Sequence, residues 1–350
     1  MTEDGAAPRR PTGGASAPVT VCVPVWNGAR FIPALIDSVL AQQASDWLLV
    51  IGDNASTDDL GAVVARYADP RITYHRWDSH VGPNENFNRT MDLARSPWLL
   101  PIGADDRLDP DALERFGRAA GDGLAMVVAP CRRVGVDGRS AEATYYGATQ
   151  PIRVPPGRYD ASSWLRFAKS GGPYSWTIGS IIFSRTALDA SGGFRPDVGL
   201  AADMELIFRL AAHGDVLTLD APVMDYLVHT DSDGNTQWDR NLRDRDAEVP
   251  LARALLSALA AHSTTRTVST AERRAVIRGA AMTYLNRAVQ HRLHPGAGGR
   301  RAALVDVARA WRMSPEIVLT ARADALAVAA IAAPTRVLRW VGAALRQRRR

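Results

Sequence analysis

The feature that most constrains this chain is a series of short apolar segments, each closed by polar residues and followed by a stretch of helical period. Residues Val19 to Val25 read VTVCVPV, a β-branched run suited to a strand buried on both faces. Trp26, Asn27 and Gly28 break it. From Arg30 to Ala41, Phe31, Leu35 and Val39 recur every fourth position with Ile32, Ile36 and Leu40 beside them, which predicts a helix laid on a sheet. Trp47 to Ile51 predicts a second strand ended by Gly52, Asp53 and Asn54, and a helix follows to about Tyr67. Arg71 to His75 reads as a third strand, 84–95 as a helix, and Trp98 to Ile102 as a fourth strand that again runs into acidic residues. Alternation of this length predicts βαβ units, hence an α/β chain with a Rossmann-like, mostly parallel sheet flanked by helices. Ligands of such sheets bind outside the carboxyl ends of the strands. Asn27, Asp53 with Asn54, and Asp105 with Asp106 all stand at those ends.

The later pattern is less regular. A helix opened by Pro110 is expected over 110–117, strand-like structure from Leu124 to Tyr146 with a turn at Asp137-Gly138, and a loop region over 151–176. A strand over Ile178 to Phe183, a helix over Ala202 to Ala212 and a strand over Val223 to Val228 follow. The last third predicts helices near 247–261, 270–292, 301–312 and 315–347, with Ser269 and Glu272 as a capping box and Ser314-Pro315-Glu316 as a helix start. Three regions result: a disordered tail over 1–17, an α/β domain over 18–240, and a basic helical extension over 241–350.

Charge separates the last two. Residues 1–240 carry a net charge of −8 and residues 241–350 a net charge of +13. Lys169 is the only lysine, so base composition accounts for arginine over lysine, but not for the loss of acids from the last third. Cys22 and Cys131 are far apart and offer neither a disulfide framework nor zinc-site spacing, which suits a reducing compartment. The tail over 1–17 has no apolar run of the secretory type. The run from Ala325 to Ala333 is far shorter than the roughly 20 residues a spanning helix needs.

Four constellations carry chemistry. In PIGADDRLDPDAL, Asp105 and Asp106 follow a strand; a divalent cation would let such carboxylates meet a nucleotide diphosphate, and the alternative is a solvated turn. In IGDNASTDD, Asp53 can accept hydrogen bonds from a base or ribose, while Ser56 and Asp58 suit a helix cap. In GGFRPDVGLAADMELIFRL, Asp203 lies near a helix start, where it could be a general base or an acid favoured by the helix dipole; Glu205 and Arg209 have the spacing of a surface ion pair. His229 in DYLVHTDSDGN could bind metal or contact phosphate, or be structural.

Taken together and in order, these segments resemble the family-2 glycosyltransferases of GT-A fold over roughly residues 18–235. VTVCVPVWNGARFIPALIDSVLAQ resembles the opening strand and helix, whose Pro-x-Tyr/Trp-Asn turn meets the nucleotide. GDNASTDD resembles the turn that holds the base, and DPRITYHRWDSHVGPNENFNRTMDLA the Asn/Gly-rich segment. GADDRLDPDALE resembles the Asp-x-Asp-type metal motif. GGFRPDVGLAADMELIFRLAAHG resembles the catalytic-base segment, and DYLVHTDSDG the closing strand. The resemblance implies an inverting transfer from a nucleotide sugar to an acceptor hydroxyl. It assigns Asp203 as base, Pro24, Val25, Asn27, Asp53 and Asp105 to the nucleotide, and Asp105, Asp106 and His229 to a Mn2+ or Mg2+ ion. Two positions depart from the pattern: the first acid of the metal motif is Gly103, and the Glu before the base is Ala202. These departures are the support for the alternative, a non-catalytic nucleotide-sugar-binding scaffold. A nucleotidyltransferase would need a Gly-rich phosphate loop with a basic residue, which VPVWNGAR lacks. No interleaved aromatic and basic platform points to nucleic acid. The expected acceptor class includes lipid-linked saccharides. The basic extension, with Val337, Trp340, Val341 and Ala344 on one face among arginines, is expected either to dock on the cytoplasmic leaflet of a membrane or to pack on the catalytic domain.

Overall fold

A computed structural model describes residues 18–141, 153–168, 175–196, 202–229, 259–262, parts of 269–281, and 299–313. The tail over 1–17 and the segment 314–350 lie outside the described residues. The elements are β1 (Val19–Val25), α1 (Ile32–Leu40), β2 (Trp47–Asp53), α2 (Leu60–Val64), β3 (Ile72–Arg76), α3 (Pro83–Asp92), β4 (Trp98–Pro101), β5 (Arg107–Leu108), α4 (Ala112–Ala119), β6 (Leu124–Val128), β7 (Arg132–Gly135), β8 (Gly157–Tyr159), α5 (Ala161–Ala168), β9 (Ile181–Ser184), α6 (Arg185–Ser191), α7 (Ala202–Leu210), β10 (Asp215–Thr218), β11 (Met224–Val228) and α8 (Gly299–Met313).

Eight strands form one sheet in the order β3-β2-β1-β4-β9-β6-β10-β8, and β5, β11 and β7 form a second, three-stranded sheet. β1 lies between β2 and β4, parallel to both. Its central place is why VTVCVPV is apolar on both faces: Val19, Val21, Val23 and Val25 enter one core with α1, α2 and α4, while Cys22 enters the other with Met91 of α3 and with α6 and α7. Thr20, the one polar residue of the run, donates to Ser96 Oγ at 2.6 Å. β9 is antiparallel to both β4 and β6, so the sheet is mixed beyond its parallel half.

The parallel half matches the sequence expectation to within a few residues. The second half departs from it. The expected loop over 151–176 contains β8 and α5, whose Trp164 is fully buried against Trp176 and Phe208. The expected strand over Ile178 to Phe183 opens with a 3-10 turn at Ile178–Ser180 and begins at Ile181. α6 and β10 were not foreseen. In the last third, α8 realises the helix expected over 301–312, and Leu259, Ala281 and Ala310 enter the α3 core. No helix among the described residues is long and apolar enough to cross a membrane.

Candidate active site

The carboxyl ends of β1 and β2 are stitched together by side chains. Asn27 has a left-handed backbone (φ 52°), and its Oδ1 accepts the Thr57 N–H at 2.7 Å. Ser56 Oγ accepts the Asn27 N–H, and Asp58 accepts the Ala29 and Leu60 N–H groups. Ser56 and Asp58 were expected to cap α2. Of the two only Asp58 touches it, through Leu60 at 3.3 Å, and the N-cap position is Asp59. Their main work is to hold the β1 loop beside the β2 loop. Val25 gives its carbonyl to the Asn54 N–H, and Pro24 is half-exposed at the strand end.

Asp53 is fully buried and ligated by protein. Its Oδ1 accepts the Ser56 N–H at 2.8 Å, and its Oδ2 accepts Tyr74 Oη–H at 2.5 Å and Arg76 Nη1–H at 2.8 Å. Burial alone would raise its pKa. The bonds from Ser56, Tyr74 and Arg76 outweigh burial and hold the carboxyl below the usual range. Burial and the Asp53 charge push Tyr74 up to about 12. Beside this group lies an open cleft of about 680 Å3, lined by Ser56, Thr57, Asp59, Tyr74 and Arg76. The protein surface toward a ligand here is Arg76, which is half-exposed, rather than Asp53 itself. Trp26 is half-exposed on the next loop, its ring 4.7 Å from that of His80.

The acidic turn after β4 is a split pair. Asp105 Oδ2 lies 2.8 Å from His229 Nε2 at the end of β11, joining residues that are 124 apart in sequence. Asp106 turns inward and is nearly inaccessible, with Oδ1 on the Leu227 N–H at 3.1 Å. Burial, then the Asp105 charge, push Asp106 well above the ordinary carboxylate range, against the Leu227 N–H and the buried Arg133. Asp105 is therefore the cluster's open member, with His229 largely enclosed behind it and Asp106 its buried support. A β-carbon at Gly103 would lie 2.6 Å from Asp105 Oδ1, so Asp105 occupies the space next to the position where the first acid usually stands. Among the described residues no group of three or more His, Cys, Asp or Glu side chains is arranged as a ready cation cage. The donor set fits a divalent ion that takes its remaining oxygens from a phosphate: one carboxylate and one imidazole, both hard-to-borderline ligands.

Asp203 stands in the first turn of α7 and accepts the Met204 N–H at 2.7 Å. Desolvation raises its pKa to about 6 despite the backbone N–H donors around it. Ala202, where the pattern has Glu, is packed in the core. The expected surface pair of Glu205 and Arg209 is in fact buried: two bonds of 2.8 Å join them, and Arg209 also donates to the Ser191 and Gly193 carbonyls. The i,i+4 spacing was right, but α7 lies between two layers, so both its faces are enclosed.

Residues 20–167 match the model of glycosyl transferase family 2. This segment is a glycosyl transferase family 2 domain. The chain is 31% identical over 198 residues to an uncharacterized protein of Mycobacterium tuberculosis, covering 55% of this chain and 61% of the relative. It is 37% identical over 107 residues to a PGL/p-HBAD biosynthesis glycosyltransferase of Mycobacterium bovis, covering 29% of this chain and 41% of that one. It thus spans about three fifths and two fifths of these two curated relatives. A solved mannosyltransferase from Pyrobaculum calidifontis, in complex with GDP-Man and Mn2+, superposes with a TM-score of 0.53 over 90% of this chain and 86% of its own, at 20% identity, a likeness of fold alone.

The structure joins Asp105 to His229 and the Asn27 loop to the Asp53 loop, and it sets Asp106 back from the cleft. Trp26 stands in the Pro-x-Tyr/Trp-Asn turn of the resemblance without having been assigned a role, and sequence reasoning missed Tyr74 and Arg76. The signal for the last two was available: in RITYHR the alternate residues Tyr74 and Arg76 share one face of β3, beside Asp53 of β2.

Proposed function

We infer that this family-2 chain transfers a sugar from a nucleotide-sugar donor to an acceptor hydroxyl with inversion, using a divalent cation and Asp203 as base. The observation that carries this reading is the contrast between an Asp105–His229 edge, suited to a cation and diphosphate, and an isolated Asp203 with a pKa near 6. The nucleoside lies along the cleft beside Arg76 and Tyr74, close to Trp26. Asp105 and His229 hold the cation, which, when bound, supplies positive charge against the departing diphosphate. Asp203 accepts the proton of the acceptor hydroxyl as its oxygen bonds to the anomeric carbon. The bond from that carbon to the diphosphate breaks, and its electron pair leaves on the nucleotide. A carboxylate that titrates near 6 is ionised at neutral pH and is a better proton acceptor than an ordinary one.

A thermal-shift panel of UDP, GDP, ADP and CDP with and without Mn2+ tests the donor side. One nucleoside diphosphate should stabilise the protein more with metal than without, because binding to the native state adds stability by mass action. Equal melting curves across the panel would remove the nucleotide reading.

The acceptor class that fits best is a lipid-linked saccharide, with the chain on an anionic membrane face. α8 leaves Leu304, Val305 and Trp311 exposed alongside Arg312, within a region of net charge +13. Co-sedimentation with phosphatidylglycerol-containing vesicles, but not with neutral ones, and its loss in high salt are the expected results. Equal recovery in the supernatant with both vesicle types would end the membrane reading.

A further inference from the structure

Two asparagines of this chain make the same unusual grip. Asn54, at the end of β2, takes both backbone polar groups of Val81: Oδ1 accepts its N–H at 2.8 Å and Nδ2 donates to its carbonyl at 2.9 Å. Asn88, on α3, takes both polar groups of Phe194: Oδ1 accepts its N–H at 2.8 Å and Nδ2 donates to its carbonyl at 2.8 Å. Each carboxamide thus acts as one residue of a β-ladder, and the two-point contact fixes which amide atom faces which group. The grips lie at opposite poles of the site. Val81 follows His80, whose ring meets Trp26 beside the nucleotide cleft. Phe194 follows Gly192 and Gly193 in the segment that leads to Asp203.

α3 links them. Arg89, next to Asn88, lies over the Trp77 ring and donates to Asn54 Oδ1. Phe87 places its ring 5.0 Å from that of Phe194. The segment after α6 is shaped for this contact. Gly192 and Gly193 both have positive φ, at 79° and 72°, and a β-carbon at Gly193 would lie 2.6 Å from Asn88 Oδ1. The far side of the same segment is held from α7, where Arg209, buried against Glu205, donates to the Ser191 and Gly193 carbonyls. The segment is therefore bolted on one side to the donor layer and on the other to the helix that carries Asp203. Arg209 alone would hold it to its own helix; Asn88 is the two-point link that references it to the donor layer, beside the Phe87 ring contact and a bond of 3.3 Å from Asn84 Nδ2 to the Arg195 carbonyl.

We propose that Asn88 is a positioning residue of the transfer reaction, setting the Asp203 helix relative to the donor cleft through its two-point clamp on Phe194. This rests on Asp203 being the base, as in the function proposed above. Displacement of a reacting group by an ångström costs up to about a hundredfold in rate without changing ground-state binding.

The test uses the full chain with Mn2+, with UDP-GlcNAc and GDP-mannose as donors and water as acceptor, read as release of nucleoside diphosphate. Asn88→Ala should lower kcat by about tenfold or more while donor KM stays within about twofold. Its acid limb should move below that of the wild type, as water reaches Asp203. Asn88→Asp keeps the acceptor atom for the Phe194 N–H and sets an oxygen against the Phe194 carbonyl. It should show the same split, and it serves if the alanine variant does not fold. Hydrogen exchange at the Phe194 amide, slow in the wild type and faster in either variant, reads the clamp without any turnover. An active wild type matched by both variants in kcat and pH profile would overturn the positioning role, as would unchanged Phe194 exchange. A wild type inactive on both donors with an intact exchange difference would count against the proposed reaction instead, and would remove the catalytic role of Asn88 with it.

Discussion

Asp53 and Asp203 are both aspartates at the ends of regular elements, and their surroundings drive them in opposite directions. Asp53 is inaccessible, yet three protein donors surround it, and its carboxyl is held below the ordinary range. Among the described residues Asp203 has only backbone N–H groups as donors, and desolvation lifts it to about 6. Burial raises a carboxyl pKa in both places; what differs is the number of donors that follow the charge inside. A saturated carboxylate organises other groups, here Arg76, Tyr74 and the Ser56 turn. A carboxylate left short of donors keeps the capacity to take a proton. That count supports the proposed division of labour between Asp53 at the nucleotide cleft and Asp203 as base.

The largest effect is expected where the proton acceptor is removed. Asp203→Asn should lower kcat by about 10^2 to 10^4, the usual weight of general-base catalysis, with donor binding preserved. Calorimetric titration with the preferred nucleoside diphosphate and Mn2+ checks the second half. A variant that lost binding and kept turnover at saturating donor would make Asp203 a binding residue and erase the contrast. In the wild type, kcat should rise with pH through about 6, because the base works deprotonated.

Next come the two halves of the acidic turn. Asp105→Ala should cut turnover by about 10^2 or more and weaken metal-dependent nucleotide binding, since it removes half of the Asp105–His229 edge. Asp106→Ala should act on the same parameters through loss of the Leu227 bond, and should also lower the melting temperature. Unchanged activity in both would dissolve the assignment of this turn to the metal.

The smallest catalytic effect belongs to Asp53. Asp53→Ala should mainly raise donor KM, because Arg76 and Tyr74 lose their anchor in ground and transition states alike. It should also destabilise the fold by about 1–3 kcal/mol, the cost of leaving the buried Ser56 N–H and the half-buried Tyr74 hydroxyl without their acceptor. The sign with pH is fixed by the depressed pKa: the contribution of Asp53 is present above its unfolded pKa of about 3.9 and is lost as pH falls through the folded value. Chemical denaturation of both proteins from pH 7 to pH 3 should show the gap narrowing on the acid side. A selective loss of kcat at unchanged KM would place Asp53 with Asp203 rather than opposite it.

The parallel half of the sheet was legible because β1, β2 and β4 are buried on both faces. A continuous β-branched run such as VTVCVPV and an amphipathic run such as that of α1 have few other ways to hide their apolar surface. The mixed half was less so: β8, β10 and α6 are short and carry no distinctive period; β10 takes its place from parallel pairing with β6, β8 from antiparallel pairing with β10, and α6 from packing on β6 and β9. Glu205 and Arg209 show the limit well. Their spacing says they meet, but only the packing of α7 says that they meet inside and grip the Gly193 segment.

What the sequence by itself determined was the order of elements in the donor half and the polar residues at their ends, because strand period and chain direction put Asn27, Asp53 and Asp105 at one edge. Only the tertiary structure decided what each acid does there. It turned Asp106 inward and Asp105 toward His229, gave Asp53 three donors, and left Asp203 short of them. Those outcomes depend on partners up to 124 residues away, and local sequence carries no record of which distant donor will reach a buried charge.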